Sequence, residues 1–192
     1  MSDFATQYAQ TLRAVTAELS EALGKVDPAQ LQRLADAMYA ADDVFFVGVG
    51  RVMLAMQALA KRFFHLGIKT HVVGDITEPH FKDTDLLLVG SGSGASLFPL
   101  GIAKKARAAS PKCTIVHIGS NPDSEMKGIA DFMVRIPVRT KLYLPDEVES
   151  CQPMTTLFDQ SLLVMGDILA KMLIEQKKLD MKSLWQYHAN LE

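Results

Sequence analysis

The sequence has few of the residues that build metal sites and disulfide frameworks. Its 192 residues include only two cysteines, Cys113 and Cys151, which stand in no paired metal-ligand spacing. His71, His80 and His117 likewise lack a spacing that would place them beside acids or cysteines as ligands. We therefore expect no metal, and nothing in the sequence requires an oxidising compartment.

Long runs of one kind of residue are absent as well. Twenty lysines and arginines oppose twenty-two aspartates and glutamates, a formal charge of −2, and no basic run marks a nucleic-acid footprint. No apolar run is long enough to span a membrane, and the N-terminus lacks a basic segment followed by a continuous apolar stretch. These absences predict a soluble cytoplasmic protein with no nucleic-acid or membrane partner.

The composition is sufficient for one sizeable domain, because 48% of the residues are hydrophobic and available for a core. Two amphipathic helices are predicted first, the second announced by Asp27-Pro28, a capping residue followed by proline. We interpret residues 1–192 as a single domain, in which residues 1–42 form an N-terminal helical arm and residues 43–192 form the core and the C-terminal helices.

Short continuous apolar runs alternate with helical patterns after the arm. They predict five strands, at residues 44–47, 70–73, 86–89, 114–118 and 132–136. Such runs are typical of strands buried on both faces, so we predict an α/β fold, a flavodoxin-like three-layer αβα sandwich with a five-stranded parallel sheet. Ligands are expected at the carboxyl ends of its strands. Residues 137–152 lack periodicity and predict a surface loop, after which Pro153 is expected to open a long helix.

A serine- and glycine-rich loop follows the third predicted strand. It comprises Ser91, Gly92, Ser93 and Gly94, with Ser96 just before the next helix. Glycines let the backbone approach an anion, hydroxyls donate to its oxygens, and a helix N-terminus adds N–H groups. The loop therefore predicts a phosphate site; a plain turn between strand and helix is the alternative.

A second glycine-containing loop, Gly48-Val49-Gly50-Arg51, follows the first predicted strand. The guanidinium of Arg51 could engage phosphate or sugar hydroxyls, or it could form a surface ion pair. Met53 stands where a dinucleotide-binding motif has its third glycine, so a nucleotide-binding reading is disfavoured.

Taken in order, several blocks of the chain resemble the sugar isomerase (SIS) domain family, and within it the 6-phospho-3-hexuloisomerases. The blocks span nearly the whole sequence, at residues 47–51, 61–67, 91–94, 152–154, 157–160 and 188–192. The resemblance implies a cofactor-free isomerase that interconverts 3-hexulose 6-phosphate and fructose 6-phosphate through an enediol, in a homotetramer with sites near subunit contacts. Apolar faces on the arm and on the long final helix independently predict a homo-oligomer.

The resemblance also assigns catalytic roles. Moving a carbonyl requires a base for a carbon-bound proton and groups that exchange protons with the enediol oxygens. The family's base is a glutamate of the long helix, and Asp159 stands there, so it is the candidate base. His65 and His188 are the candidate assisting groups, His188 from a tail that could reach a neighbouring subunit's cleft. Each role has a structural alternative. Asp159 could be a solvated acid, His65 a helix-terminal histidine that bonds to a carbonyl, and His188 part of a mobile terminus.

The chain departs from the family pattern at two loops. Val52-Met53 replaces Ser-Gly after the arginine, and Ala95-Ser96 replaces Glu-Thr after the serine loop. Hydroxyls for phosphate remain, whereas the choice of sugar is open. The alternatives are therefore an isomerase of a different sugar phosphate and a non-catalytic phosphosugar-binding or regulatory protein. A DNA-binding regulator is disfavoured because the arm is too short and too acidic.

Overall fold

The computed structural model describes residues 3–191 and contains one parallel sheet. Its strands are β1 (Val44–Val47), β2 (Thr70–Val72), β3 (Leu86–Gly90), β4 (Thr114–Gly119) and β5 (Phe132–Arg135). Their order in space is β2-β1-β3-β4-β5, and every neighbouring pair is parallel. This confirms the predicted five-stranded parallel sheet.

Helices cover both faces of the sheet. They are α1 (Phe4–Gly24), α2 (Pro28–Ala40), α3 (Gly50–Phe64), α4 (Leu97–Ala109) and α5 (Thr156–Gln176), with 3₁₀ turns at Glu125–Gly128 and Ser183–Tyr187. The helices α2, α3 and α5 pack on one face, with α1 against α5, while α4 and the first 3₁₀ turn lie on the other. The three-layer αβα arrangement is thereby confirmed.

Alternate residues of the central strands supply the two cores. Phe46 and Leu88 point to the core that α2, α3 and α5 cover, and Phe45 and Leu87 point to the core under α4. All residues of β1 and β3 are buried, as their continuous apolar runs predict. None of the helices between residues 3 and 191 is long and apolar enough to cross a membrane.

The ends of some elements differ from the sequence prediction. The long helix does not begin at Pro153 but at Thr156, because Met154 has a φ of 56°, a left-handed conformation that no α-helix tolerates. The predicted second strand stops one residue early, at Val72, and the helix after the serine loop begins at Leu97 rather than Ala95. The Asp27 cap is confirmed, since its Oδ1 accepts from the Ala29 N–H at 2.8 Å.

Candidate active site

Two loops leave the centre of the sheet side by side. Val47 of β1 lies opposite Val89 of β3. The loop that follows β1 and leads to Arg51 therefore emerges at the same carboxyl edge of the sheet as the serine loop (residues 91–96), which follows β3. The chain order places β2 on one side of β1 and β3 on the other, which makes this the point where ligands bind in open α/β sheets.

Arg51 lies in the first turn of α3 and reaches across to α5. Gly50 makes the turn into the helix with a φ of 59°, a conformation that is costly for residues with a Cβ. The Arg51 Nε donates to Asp159 Oδ2 at 3.0 Å, so the predicted alternative of an ion pair for Arg51 is present, and its partner is the candidate base.

Asp159 is the acidic group of this cleft. It is only 7% exposed, and its Oδ1 accepts no hydrogen bond from any residue that the structure describes. Burial raises the pKa of Asp159, while the hydrogen bond and charge of Arg51 act in the opposite direction. The cavity beside it, the Asp159 compartment, measures about 460 Å³ and is walled by Val49, Pro153 and Thr155 among others. The solvated-acid reading of Asp159 does not fit this burial.

The serine loop presents hydroxyl groups to an adjoining cavity. Ser91 is 3% exposed, and its Oγ has no hydrogen-bond partner among residues 3–191. Ser93 is also buried, and Ser96 precedes α4 without using its side chain as a cap. This cavity, the serine compartment, measures about 180 Å³ and is lined by residues that include Gly92 and all three serines.

The shape of the serine loop is held from below. The Ser91 carbonyl accepts from Gly94 N–H at 3.1 Å and from His117 Nε2 at 2.8 Å. Burial lowers the pKa of His117, so the ring is a neutral donor to that carbonyl. Gly94 has a φ of 65°, and a Cβ there would lie 2.2 Å from Ser124 Oγ. Sequence reasoning used His117 only to argue against a metal, because its place beneath the loop depends on strand register.

The two compartments form one continuous cleft. Val49, Val52 and Thr155 line both of them. Val52 stands where the family resemblance leads one to expect a serine. The wall that the two compartments share is therefore more apolar in this chain than the family pattern implies. Ala95, the other departure, is exposed and does not line either compartment. A ligand with an anionic end in the serine compartment would carry its other end toward Asp159.

The two candidate histidines meet each other but not Asp159. The rings of His65 and His188 stack with centroids 5.5 Å apart and an interplanar angle of 18°. They lie at the C-terminal end of α3, whereas Arg51 lies at its N-terminal end, about 21 Å away at the rise of an α-helix. One chain therefore gathers Asp159, Arg51 and the serines, and leaves the histidine pair outside this cleft.

No group of three His, Cys, Asp or Glu side chains within residues 3–191 has a geometry that could hold a metal ion. His71 instead pairs with Asp43 at 2.8 Å between its Nε2 and the carboxylate.

Glu18 of α1 holds the segment that leads into α5. Its carboxylate accepts from Ser150 Oγ at 2.6 Å, from the Cys151 N–H at 2.8 Å and from Gln152 Nε2 at 3.2 Å. Gln152 Nε2 also donates to Gln160, the neighbour of Asp159, at 3.1 Å. Burial acts to raise the pKa of Glu18, but these hydrogen bonds outweigh it and lower the pKa to about 2.

We expect Glu18→Gln to destabilise the protein at neutral pH. A depressed pKa contributes stability that is present above the unfolded value of 4.5 and lost as the pH falls toward about 2. Solvent screening at this partly exposed position limits the loss to about 1 kcal/mol. Urea unfolding between pH 7 and pH 3 should show that the difference in free energy of unfolding between wild type and variant becomes smaller below pH 4.5. The matched control is Glu21→Gln, on the same helix, and equal stability of Glu18→Gln and wild type at pH 7 would contradict the prediction.

The fold and this cleft define the class of protein. A crystal structure from Methanococcus jannaschii, described as inferring a molecular function of 3-hexulose-6-phosphate isomerase, matches with a TM-score of 0.80 and 28% identity over 95% of this chain and 99% of that one. A structure from Listeria monocytogenes that is described as a candidate sugar-phosphate isomerase matches in fold, with a TM-score of 0.76 at 15% identity over 98% and 99% of the two chains. The chain thus has the fold of the SIS-type phosphosugar isomerases.

Sequence comparison narrows the assignment. The 3-hexulose-6-phosphate isomerase of Mycobacterium gastri is 36% identical over 94% of this chain and 89% of its own length. The protein of the same name from Bacillus subtilis is 33% identical over 91% of this chain and 94% of its own. No family model matches the sequence. The chain belongs to the 3-hexulose-6-phosphate isomerase family.

Proposed function

We propose that this chain interconverts 3-hexulose 6-phosphate and fructose 6-phosphate. The observation that carries the proposal is the buried Asp159 carboxylate, whose Oδ1 accepts no hydrogen bond from residues 3–191, in the same cleft as the serine loop. The relatives that bear the name of this activity match over nine tenths of the chain.

Asp159 serves as the base in this proposal. Its carboxylate takes the proton from carbon 3 of fructose 6-phosphate, and the C–H electron pair becomes the double bond of a 2,3-enediol as the carbonyl oxygen gains a proton. Returning a proton to carbon 2, with loss of a proton from the oxygen on carbon 3, completes the 3-ketose. The reaction is an internal redistribution of electrons, so no external oxidant or reductant enters the balance. The raised pKa of Asp159 suits a group that must both accept and return a proton.

Arg51 orients the base and supplies charge. Its Nε holds Asp159 Oδ2, which leaves Oδ1 for the substrate proton. An arginine has five N–H donors, so the remaining donors of this largely exposed side chain can stabilise the negative charge that develops on the enediol oxygens. The phosphate group occupies the serine compartment, where Ser91, Ser93 and Ser96 supply hydroxyls next to the N-terminus of α4.

Proton NMR in deuterated water tests this function directly. We expect the protein to replace the carbon-3 hydrogen of fructose 6-phosphate by deuterium and to leave the carbon-1 hydrogens in place. Exchange at carbon 1 would instead indicate an aldose–ketose isomerase. Binding of the sugar phosphate without any exchange would indicate the phosphosugar-binding alternative. Unphosphorylated fructose is the control for the requirement for phosphate.

We further propose that the working form is a homo-oligomer, a tetramer by family resemblance, in which the histidine pair serves another chain's cleft. The distance between the histidine pair and Asp159 within one chain supports this arrangement, because a proton-transfer group must lie within hydrogen-bond reach. Exposed apolar side chains on α3 and α5 offer contact surfaces for a second copy: Leu54, Leu163, Ile168 and Met172.

Mixed inactive subunits test this arrangement. His188→Gln and Asp159→Asn homo-oligomers should each lose exchange activity. We expect co-refolded mixtures to regain a measurable fraction of it, because some interfaces then combine an intact Asp159 with an intact His188. Sedimentation velocity of each variant confirms that the subunits still assemble. A monomer at working concentration, or mixtures without recovery, would contradict the proposal.

A cytoplasmic location is also part of the proposal. Cys113 is buried and Cys151 is exposed, and both are free thiols, which fits a reducing compartment. Cell fractionation is the test.

A further inference from the structure

The segment 137–152 closes one side of the serine compartment. Thr140 and Lys141 line this cavity together with the serine loop. The segment folds back on itself through a bridge between Val138 and Val148, in which the Val148 N–H donates to the Pro137 carbonyl at 2.7 Å. Ser120, which directly follows β4, holds it to the sheet by donating from its Oγ to the Val138 carbonyl at 2.9 Å. Its turn therefore has a fixed position next to the loop.

Glu147 braces this turn from inside. It is 8% exposed, and its carboxylate accepts from Ser120 Oγ at 2.9 Å and from Thr140 Oγ1 at 3.1 Å. It also accepts from the backbone N–H groups of Thr140 at 3.2 Å and Leu144 at 2.9 Å. Three of the four donors that converge on this buried carboxylate belong to Thr140 and Leu144, so the turn between them, which begins with Lys141, is held in place.

Lys141 is the only lysine or arginine among the described residues that line the serine compartment. Arg51 lines the Asp159 compartment and not the serine compartment. Arg135 pairs with Asp146 at 2.6 Å, and Arg139 pairs with Glu149 at 2.5 Å. Lys141 forms no ion pair with any other residue that the structure describes.

The hydroxyl donors of the serine compartment indicate that its ligand is an anion. The Ser91 hydroxyl is buried and faces no partner within residues 3–191, which is costly unless a ligand satisfies it. Hydroxyls and a helix N-terminus alone bring no full positive charge to a phosphate dianion. A lysine on a flexible stem supplies that charge as a point cation.

We propose that Lys141 binds the phosphate group of the substrate together with Ser91, and thereby determines which end of the sugar phosphate faces Asp159. Glu147 is the positioning residue that places Lys141. The inference rests on the proposed function for the identity of the sugar, but phosphate binding at this site can be measured without turnover.

Inorganic phosphate is the probe for the binding step, and fructose 6-phosphate for the kinetic one. Calorimetry should show that Lys141→Gln weakens phosphate binding by about 10- to 100-fold, the usual loss for one charge-assisted contact. The exchange assay should show KM rising by a similar factor while kcat changes by less than about threefold, because the contact is made equally in ground and transition states. Lys141→Arg, which keeps the charge, should retain most of the affinity.

Lys69→Gln is the matched control, since Lys69 is exposed and precedes β2 at the opposite edge of the sheet. Equal phosphate affinities for Lys141→Gln, Lys69→Gln and wild type would overturn the inference. So would a wild-type protein that binds no phosphate. A protein that binds phosphate through Lys141 but exchanges no sugar hydrogen would support the inference and refute the proposed isomerase.

A double-mutant cycle separates positioning by Glu147 from a general effect on folding. Glu147→Gln keeps the shape of the side chain and should weaken phosphate binding in the wild-type background. It should cause little further weakening in the Lys141→Gln background, because the group that it places is then absent. Independent, additive losses would show that Glu147 does not act through Lys141.

Discussion

The Asp159→Asn variant should exchange the carbon-3 hydrogen of fructose 6-phosphate about 100- to 10,000-fold more slowly than the wild type, since this factor is the usual contribution of a general base. Asparagine has nearly the same size and can still accept from Arg51, so the fold and the binding of the sugar phosphate are retained. Proton NMR in deuterated water measures the rate, and calorimetric titration with fructose 6-phosphate measures the binding. Exchange at the wild-type rate in this variant would remove Asp159 from the mechanism.

Two variants complete the comparison. Asp167→Asn is the matched control, because Asp167 lies on the same helix, is half exposed and pairs with Arg62 at 2.9 Å, outside the cleft. It should exchange at the wild-type rate. Asp159→Glu restores the residue type of the family pattern and lengthens the side chain by one methylene. Retained exchange in this variant would show that the cleft accepts either carboxylate.

The pH dependence of wild-type exchange follows from the same residue. The base must be ionised to act, and burial raises the pKa of Asp159 above its ordinary value of 3.8 despite the opposing effect of Arg51. Activity should therefore fall as the pH is lowered, with a midpoint above 3.8.

Ser91→Ala should weaken ligand binding without lowering the stability of the fold. The hydroxyl is buried without a partner among residues 3–191, so its removal leaves the free energy of unfolding unchanged or raises it by up to about 1 kcal/mol. The same change removes a phosphate donor and weakens binding of fructose 6-phosphate by about 10-fold. Urea unfolding and calorimetry measure the two quantities on the same protein.

Two other buried serines serve as controls for this prediction. Ser110 Oγ donates to the Phe81 carbonyl at 3.2 Å, so Ser110→Ala should lose about 1 kcal/mol of stability without affecting binding. Ser161 resembles Ser91 in having no partner among the described residues but lies outside both compartments, so Ser161→Ala should not reduce stability and should leave affinity unchanged. A Ser91→Ala variant that is less stable and binds normally would contradict the assignment of Ser91 to the ligand.

The sequence predicts the elements of this fold better than their ends. Continuous apolar runs are sufficient for buried parallel strands, and Asp27-Pro28 marks the start of α2 because capping chemistry is local. The prediction that α5 starts at Pro153 is wrong because nothing in the residue type of Met154 indicates its left-handed conformation. Proline suggested a helix start that the next residue prevents.

Some features of the candidate site can be predicted from the sequence, and others become visible only in the folded structure. The serine loop is visible in the sequence because its chemistry is contiguous. The contact between Arg51 and Asp159 joins residues 108 positions apart, and sequence reasoning named both without predicting that they pair. Lys141 and Glu147 went unnamed because they lie in a segment without periodicity, where only the folded turn shows which side chain faces the cleft.

The hydrogen bonds of Glu18 limit how far this protein can be trimmed. The arm carries the side chain that fixes residues 150–152, and its Leu34 and Met38 are buried in the same core as the sheet. A shortened chain that starts at β1 would lose not an appendage but the anchor of the segment that leads to Asp159. Engineering that needs a new attachment point should therefore leave the first helix intact and look to exposed loop tips elsewhere.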